Sequence, residues 1–264
     1  MNEKAIDHWI KDNVAYLYPI GDIHLGDKSF TAKSMAKLKG YIKWIQNSRN
    51  SRVILMGDIF NVATRASKTS PFQQLSLKDE MKLALQLFKP IKNKILGVID
   101  GNHENRAVDY MDYSPLIHFC DVLGLRYLQY SGVFKLGVGV NRCAGSSRTD
   151  QAKIIYIVYA HHTTGGGTTK GGRINRVAKL SEIFTNADIY LGAHNHDLIT
   201  TPNEGWAVDR RTGNVKRFRQ YFVDCGGYLD WNGSYAEQKM FPPLKIGSPK
   251  IRLDGKVKDV KVSL

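Results

Sequence analysis

The 264-residue chain is poor in cysteine and has no long apolar run. Its three cysteines, Cys120, Cys143 and Cys225, are odd in number and widely spaced, and no CxxC pair occurs. That excludes a disulfide framework and a cysteine-built zinc module, and it predicts free thiols in a reducing, cytoplasmic compartment. No apolar stretch approaches the roughly 20 residues of a membrane span, so no membrane partner is expected. Residues 1–12 are polar and charged, unlike a signal peptide. Internal repeats, low-complexity tracts and an obvious linker are missing too, which leaves one domain over residues 1–264 as the economical reading. Acidic residues are also in short supply: 24 Asp and Glu face 38 Lys and Arg, a net charge of +14. A surface so unbalanced suits a polyanionic partner, with nucleic acid the natural one.

What the chain does contain is a run of alternating elements. Residues 14–20, 52–56 and 94–99 read as buried strands, and residues 31–47 and 76–88 between them as helices. The stripe Met35, Leu38, Tyr41, Ile42 and Ile45 carries helical spacing in the first. Strand–helix–strand alternation predicts an α/β fold with a parallel sheet, in which ligands gather at the carboxyl ends of the strands. Downstream, residues 114–123 read as a helix and 127–140 as two strands. Residues 153–160 read as an apolar strand, 173–184 as an amphipathic helix and 188–191 as a short strand. The remainder, 201–264, is strand-rich and basic, with strands at 198–201, 206–209, 215–225 and 249–264. Turn signals occur at Thr212-Gly213-Asn214 and Asp254-Gly255.

Chemistry-bearing side chains recur just after the strand signals. They are Asp22-Ile23-His24, Gly57-Asp58, Gly101-Asn102-His103-Glu104, His161-His162 and Gly192-Ala193-His194-Asn195-His196. Each alone is weak: Gly-Asp is commonly a turn, and D-x-H a cap. Five in succession, all at strand ends, describe one centre in which carboxylate, amide and imidazole donors hold divalent ions. Mixed N/O donors suit Mn, Fe, Zn or Ni. Two such ions about 3.5–4 Å apart make a nucleophile from water near neutral pH and offset charge on a phosphoryl group.

In this order the motifs D-x-H, G-D, G-N-H-E, H and G-x-H-x-H resemble the calcineurin-like metallophosphoesterase superfamily over residues 20–196, nearest in character to its repair-exonuclease-like branch. The resemblance implies a two-sheet β-sandwich flanked by helices and a pair of ions, Mn first among the candidates. It implies that Asp22, His24 and His196 hold one ion, and that Asn102, His194 and His161 hold the other, with His162 the alternative to His161. Asp58 would bridge them, and His103 would be the general acid that protonates the leaving oxygen. Glu104 would orient a neighbour.

The substrate is less sharply written. A phosphodiesterase or nuclease acting on nucleic acid fits the charge. Arg65 or Arg106 would grip phosphoryl oxygens, Lys170 and Arg173 would form a basic rim, and Arg210 and Arg211 would make further phosphate contacts. Trp206, Tyr221, Tyr228 and Trp231 are candidates to stack unpaired bases. A serine/threonine phosphatase is the alternative, although the D-R-G of that branch is replaced by Asp58-Ile59-Phe60. A small cyclic-nucleotide or dinucleotide phosphodiesterase, with residues 163–172 as a lid, is another. A metal-free polymerase subunit is a third, opposed by the full ligand set. The chain is too short for the capping domain and coiled coil of the large repair nucleases, so a nuclease of this size would use a simpler scaffold or a homodimer.

Overall fold

The computed structural model describes residues 4–64, 67, 70–139, 153–165, 167 and 169–264; Arg65 and Cys143 lie outside them. In chain order the elements begin β1 (Ile6–Ile10), β2 (Val14–Ile20), α1 (Ala32–Asn47), β3 (Ser51–Leu55), α2 (Leu77–Phe88) and β4 (Ile95–Val98). Next come α3 (Asn102–Met111), α4 (Pro115–Leu123), β5 (Ser131–Val138), β6 (Ile154–His161), α5 (Lys170–Ala178), α6 (Leu180–Ile183) and β7 (Ile189–Gly192). The last are β8 (Leu198–Val208), β9 (Val215–Cys225), α7 (Tyr235–Gln238), β10 (Lys250–Asp254) and β11 (Val260–Ser263). Among the described residues no helix is long and apolar enough to cross a membrane.

Two mixed sheets result, an α/β architecture. The five-stranded sheet runs β11-β10-β2-β3-β4, with β2, β3 and β4 parallel; the six-stranded sheet runs β1-β5-β6-β7-β9-β8, with β6, β7 and β9 parallel. Pleating decides what each side chain meets. On β2, Ala15 and Leu17 enter a core shared with Leu136, Val158, Ile189 and Val223 of the other sheet, whereas Tyr18 and Ile20 face the helices. That shared core joins the two sheets. A second core packs α1, α2 and α4 outside the five-stranded sheet, and a third packs α5 outside the six-stranded one. Strands buried on both faces read as continuous apolar runs, which is why β2, β3 and β6 were conspicuous in the sequence.

Local chemistry starts the helices where the pattern predicts. Thr31 and Ser76 accept from the backbone N–H groups of Ser34 and Asp79, capping α1 and α2. Several expectations are corrected. Of the segment 127–140, whose last residue lies outside the described ones, residues Ser131–Val138 form a single strand, β5, preceded by one bridge between Tyr127 and Val98. The helix expected over 173–184 starts at Lys170 and breaks into α5 and α6. The polar segment 1–12 contains β1, whose Ile6 and Ile10 enter the shared core. Strands expected at 198–201 and 206–209 are one continuous strand, β8, because Pro202 and Gly205 lie within it without ending its pairing to β9.

β8 begins beside the turn that follows β7 and runs antiparallel to β9, away from that edge. Among the described residues the β8–β9 pair has no third strand beyond Tyr221, so it projects as a two-stranded arm. Trp206 is 72% exposed there, Val208 60% and Val215 63%.

Candidate metal centre

Four strands deliver the ligand turns. β2 ends at Ile20 and leads to Asp22 and His24; β3 leads to Gly57-Asp58; β6 leads to His162; β7 leads to His194 and His196. The fifth segment is the first turn of α3, which follows β4 and carries Asn102 and His103. Backbone hydrogen bonds zip the first two turns together. Asp22 N–H donates to Gly57 C=O, and Ile23 and His24 N–H both donate to Asp58 C=O.

The donors converge. His24 Nε2 lies 3.2 Å from His196 Nε2 and 3.7 Å from Asp58 Oδ2. His196 Nε2 is 3.6 Å from Asp22 Oδ1. On the other side His162 Nε2 lies 3.3 Å from both Asp58 Oδ2 and Asn102 Oδ1, and Asn102 Oδ1 is 2.7 Å from His194 Nδ1. Asp22, His24 and His196 make one potential ion-holding group and Asp58, His162 and His194 another. Ligand atoms about 2.0–2.2 Å from a shared ion sit about 3–3.6 Å apart, and the spacings here, 2.7–3.7 Å, bracket that range.

Buried Asp22 Oδ1 has no hydrogen-bond partner among the described residues, although imidazole nitrogens surround it at 3.6–4.0 Å. An orphaned buried carboxylate oxygen costs a few kcal/mol unless a cation or donor meets it. The donor set could therefore hold metal ions, and Asp58 Oδ2 stands between His24 and His162.

Electrostatics point the same way. Burial pushes the Asp22 carboxyl up to about 7, with Asp58 adding and His162 opposing. Burial also works against a charged Asp58, but His162, His103 and His24 outweigh it and hold Asp58 well below the usual carboxylate range. Burial disfavours charge on His162, yet the Asp58 and Asp22 carboxylates push it up to about 10. Burial and neighbouring imidazoles depress His194 to about 4 and His196 to about 3, leaving neutral rings with lone pairs to offer.

His161 is a correction. It ends β6 facing the α5 side, and its Nδ1 accepts from Thr163 N–H. Tyr156, Val158 and Ala160 point into the shared core, and one more alternation puts His162 on that same side. His162 is 4% exposed, and its Nδ1–H donates to Met56 C=O at 2.6 Å, which turns Nε2 toward the cluster.

The ligand turns are conformationally costly. Asp22, His24, Asp58, His194 and His196 all have left-handed backbone, with φ of 48°, 52°, 49°, 77° and 57°. Non-glycine residues adopt this region at a cost of about 1 kcal/mol or more each. The D-x-H pair therefore shares its target through successive left-handed turns, not by strand alternation. Glycine supplies clearance where the turns meet: a Cβ on Gly101 would overlap the Asp58 carboxylate, and one on Gly57 would overlap the Gly101 backbone.

Glu104 locks this junction. Its Oε1 accepts from Ile59 and Phe60 N–H at 2.7 and 3.0 Å, and its Oε2 from Asp58 and Gly101 N–H at 2.9 and 3.1 Å. The orienting role predicted for it is met by four backbone donors. A second buried acid, Glu80, accepts from Asn61 N–H at 2.8 Å. Sequence reasoning passed over Glu80, which looks like any first-turn helix acid.

His103 is 8% exposed. Its Nδ1–H donates to Asn61 C=O at 2.6 Å, which leaves Nε2 as the acceptor on the other side of the ring. The Arg106 guanidinium lies 3.1 Å from Nε2. His103, Arg106, Asn102, His194 and His196 all line a cavity of about 680 Å³.

The other expected substrate-binding residues fare unevenly. Arg65 lies outside the described residues. Lys170 is exposed at the start of α5. Arg173 lines the cavity but is buried, with its guanidinium committed to Asp197 at 2.8 Å and to Gly167 C=O; it is a fastener, not a free rim. Arg210 and Arg211 are corrected outright. They sit at the tip of the arm, ten strand residues beyond Leu198, on the order of 30 Å from the centre at about 3.3 Å per residue. Of the candidate stacking residues, Tyr228 is buried in the core, Trp206 is on the arm and Trp231 lines the cavity.

Compared with known proteins, the chain matches no family model and no curated protein.

Proposed function

We propose that the chain is a binuclear-metal phosphoesterase of the metallophosphoesterase sandwich type, acting on phosphodiesters of nucleotides or nucleic acid. The observation that carries this reading is the convergence of Asp22, His24, Asn102, His162, His194 and His196, from distant segments, around the Asp58 carboxylate, with the His103 imidazole alongside. Asp22, His24, Asp58 and His196 would hold one ion, and Asp58, Asn102, His162 and His194 the other. Divalent ions held there supply a nucleophile from water near neutral pH and offset negative charge on the phosphoryl oxygens.

The chain's own residues do the rest. His103 is held by Asn61 through Nδ1–H; because burial lowers its pKa, Nε2 would pass a proton to the departing oxygen only after taking one up from the cavity. Arg106, on the next turn of α3, faces the same cavity and binds non-bridging oxygens of the ester. Glu104 keeps the Asp58 and Gly101 turns in register. Net charge of +14 favours capture of a polyanion.

The test is a substrate panel with Mn, Fe, Zn or Ni: p-nitrophenyl phosphate, its bis ester, single- and double-stranded DNA, RNA, cyclic nucleotides and a phosphopeptide. Diester and oligonucleotide turnover is expected, and monoester or phosphopeptide preference would redirect the reading to a phosphomonoesterase. His103→Asn should keep its metal and slow oligonucleotide cleavage by roughly 10²–10⁴-fold. Cleavage of p-nitrophenolate, which leaves unaided, should suffer far less. Equal losses on both leaving groups would remove His103 as the acid.

A further inference from the structure

The cavity over the ion-ligand cluster has a second wall that the chemistry does not require. α3 forms one side, presenting Arg106 and Tyr110. The segment between β9 and β10 forms the other, presenting Trp231, Tyr235, Phe241 and Leu244. This wall is anchored to the ligand turns themselves: Tyr228 N–H donates to Asp22 C=O at 3.0 Å, and Asp230 N–H to Ser29 C=O at 2.8 Å. The wall also braces itself. The Trp231 indole N–H donates to Phe241 C=O at 2.6 Å, and Ser234 Oγ–H to Trp231 C=O at 2.6 Å. Trp231 and Tyr235 are half-buried, and Tyr110 opposite is 64% exposed. A phosphate with a simple alkyl substituent has no use for such rings.

We infer that this aromatic wall is a subsite for an unpaired nucleobase, so that the ester cleaved is a nucleotidyl phosphodiester whose base stacks beside Trp231 while its phosphate lies at the ligand cluster. The inference deepens the phosphoesterase reading and rests on it. A volume of about 680 Å³ falls within the roughly 300–1,000 Å³ of pockets that enclose small ligands. It suits one nucleotide unit and not a duplex, whose bases are already stacked on one another. Aromatic rings accept any base, since every base has a π-face. The expected selectivity is therefore for the presence of a base, not for its identity.

Two esters with one leaving group separate the claims: thymidine 5′-(p-nitrophenyl phosphate) and methyl p-nitrophenyl phosphate, assayed with Mn, Fe, Zn and Ni. The wild-type kcat/KM ratio should favour the thymidine ester by roughly tenfold or more. Trp231→Ala should bring that ratio toward one, and Trp231→Phe, which keeps a ring but loses the bond to Phe241, should restore most of it. Thymidine, which lacks a phosphate, should compete with methyl ester hydrolysis in the wild-type enzyme, and deoxyribose should not. Equal wild-type rates for the two esters with no inhibition by thymidine would overturn the subsite and leave the metal centre standing. Loss of the ratio in Trp231→Phe as severe as in Trp231→Ala would reduce Trp231 to a brace. No turnover of either ester with any of the four metals would sink both readings.

Discussion

The ligand turns and the β8–β9 arm start within two residues of each other, at His196 and Leu198, yet they are built on opposite terms. In the turns, Asp22, His24, Asp58 and His162 are buried while His194 and His196 are half-buried, five backbones are left-handed, and glycines clear the contact between neighbours. Cations, an exposed Trp and exposed Val residues crowd the arm, which is held by its own ladder and by ion pairs of Arg217 and Arg219 with Glu204 and of Lys216 with Asp209. Charge was the more visible signal in the sequence, and it drew Arg210 and Arg211 toward the site. Position in the fold overrules it, because ten extended residues carry the arm's tip away from the centre. Density of like charge is thus a poor guide to where the buried donors gather; the ends of buried strands are a better one.

That contrast can be broken most sharply at Asp58. Asp58→Ala should reduce metal-dependent turnover to background and lower the metal bound per chain, measured by elemental analysis after reconstitution and desalting. Full metal content with lost activity would deny Asp58 its shared position. Next in size is the histidine pair: His162→Ala should lose metal and activity, and His161→Ala should keep both, by the same assays. The reverse result would mean that β6 is out of register by one residue.

Glu104→Gln tests whether the turns are as tightly held as they look. A Gln amide confronts backbone N–H donors with its own donor, so the variant should lose about 2–4 kcal/mol of stability in urea titrations. A change below about 0.5 kcal/mol, the usual range for unremarkable surface sites, would show slack at the junction.

Glu80 adds a pH dependence. Burial raises its folded pKa to about 7, against opposition from Gln73 and the Asn61 and Val62 N–H groups. An acid raised on folding contributes stability that is full below its unfolded pKa, near 4.5, and is lost as pH rises through about 7. Glu80→Gln cannot ionise, so wild type should lose about 2–3 kcal/mol relative to the variant between pH 4.5 and 8. A pH-independent difference in chemical denaturation would contradict this.

The smallest effect is expected on the arm. Arg210→Ala with Arg211→Ala should leave hydrolysis of a nucleotidyl ester unchanged. It should lower the salt slope of long-polynucleotide binding by at most about 2, one phosphate contact per arginine. A large loss of ester turnover would bring the arm back into the site.

The clustering of these donors was legible because donors at strand ends survive any error in strand length. The choice between His161 and His162 was legible too, through the parity of Tyr156, Val158 and Ala160, but motif order was weighed instead of pleating. α3 hid behind the ligand motif at its start, although Glu104 at its third position was an available helix-start signal. β1 was hidden by polar residues between its two core isoleucines. Segment 227–245 could not be read, since its wall is assembled from irregular backbone and loop hydrogen bonds that leave no period.

β2 sits in mid-sheet, with β3 on one flank and β10 on the other. Roughly 230 residues of chain separate β2 from β10, and at about 5–20 residues per second a ribosome needs roughly 10–50 s to add them. Throughout that interval the flank of β2 that will pair with β10 stays open, next to the turn that carries Asp22 and His24. Completion of the five-stranded sheet beneath the donor cluster therefore waits for a hairpin that contributes no donor to it.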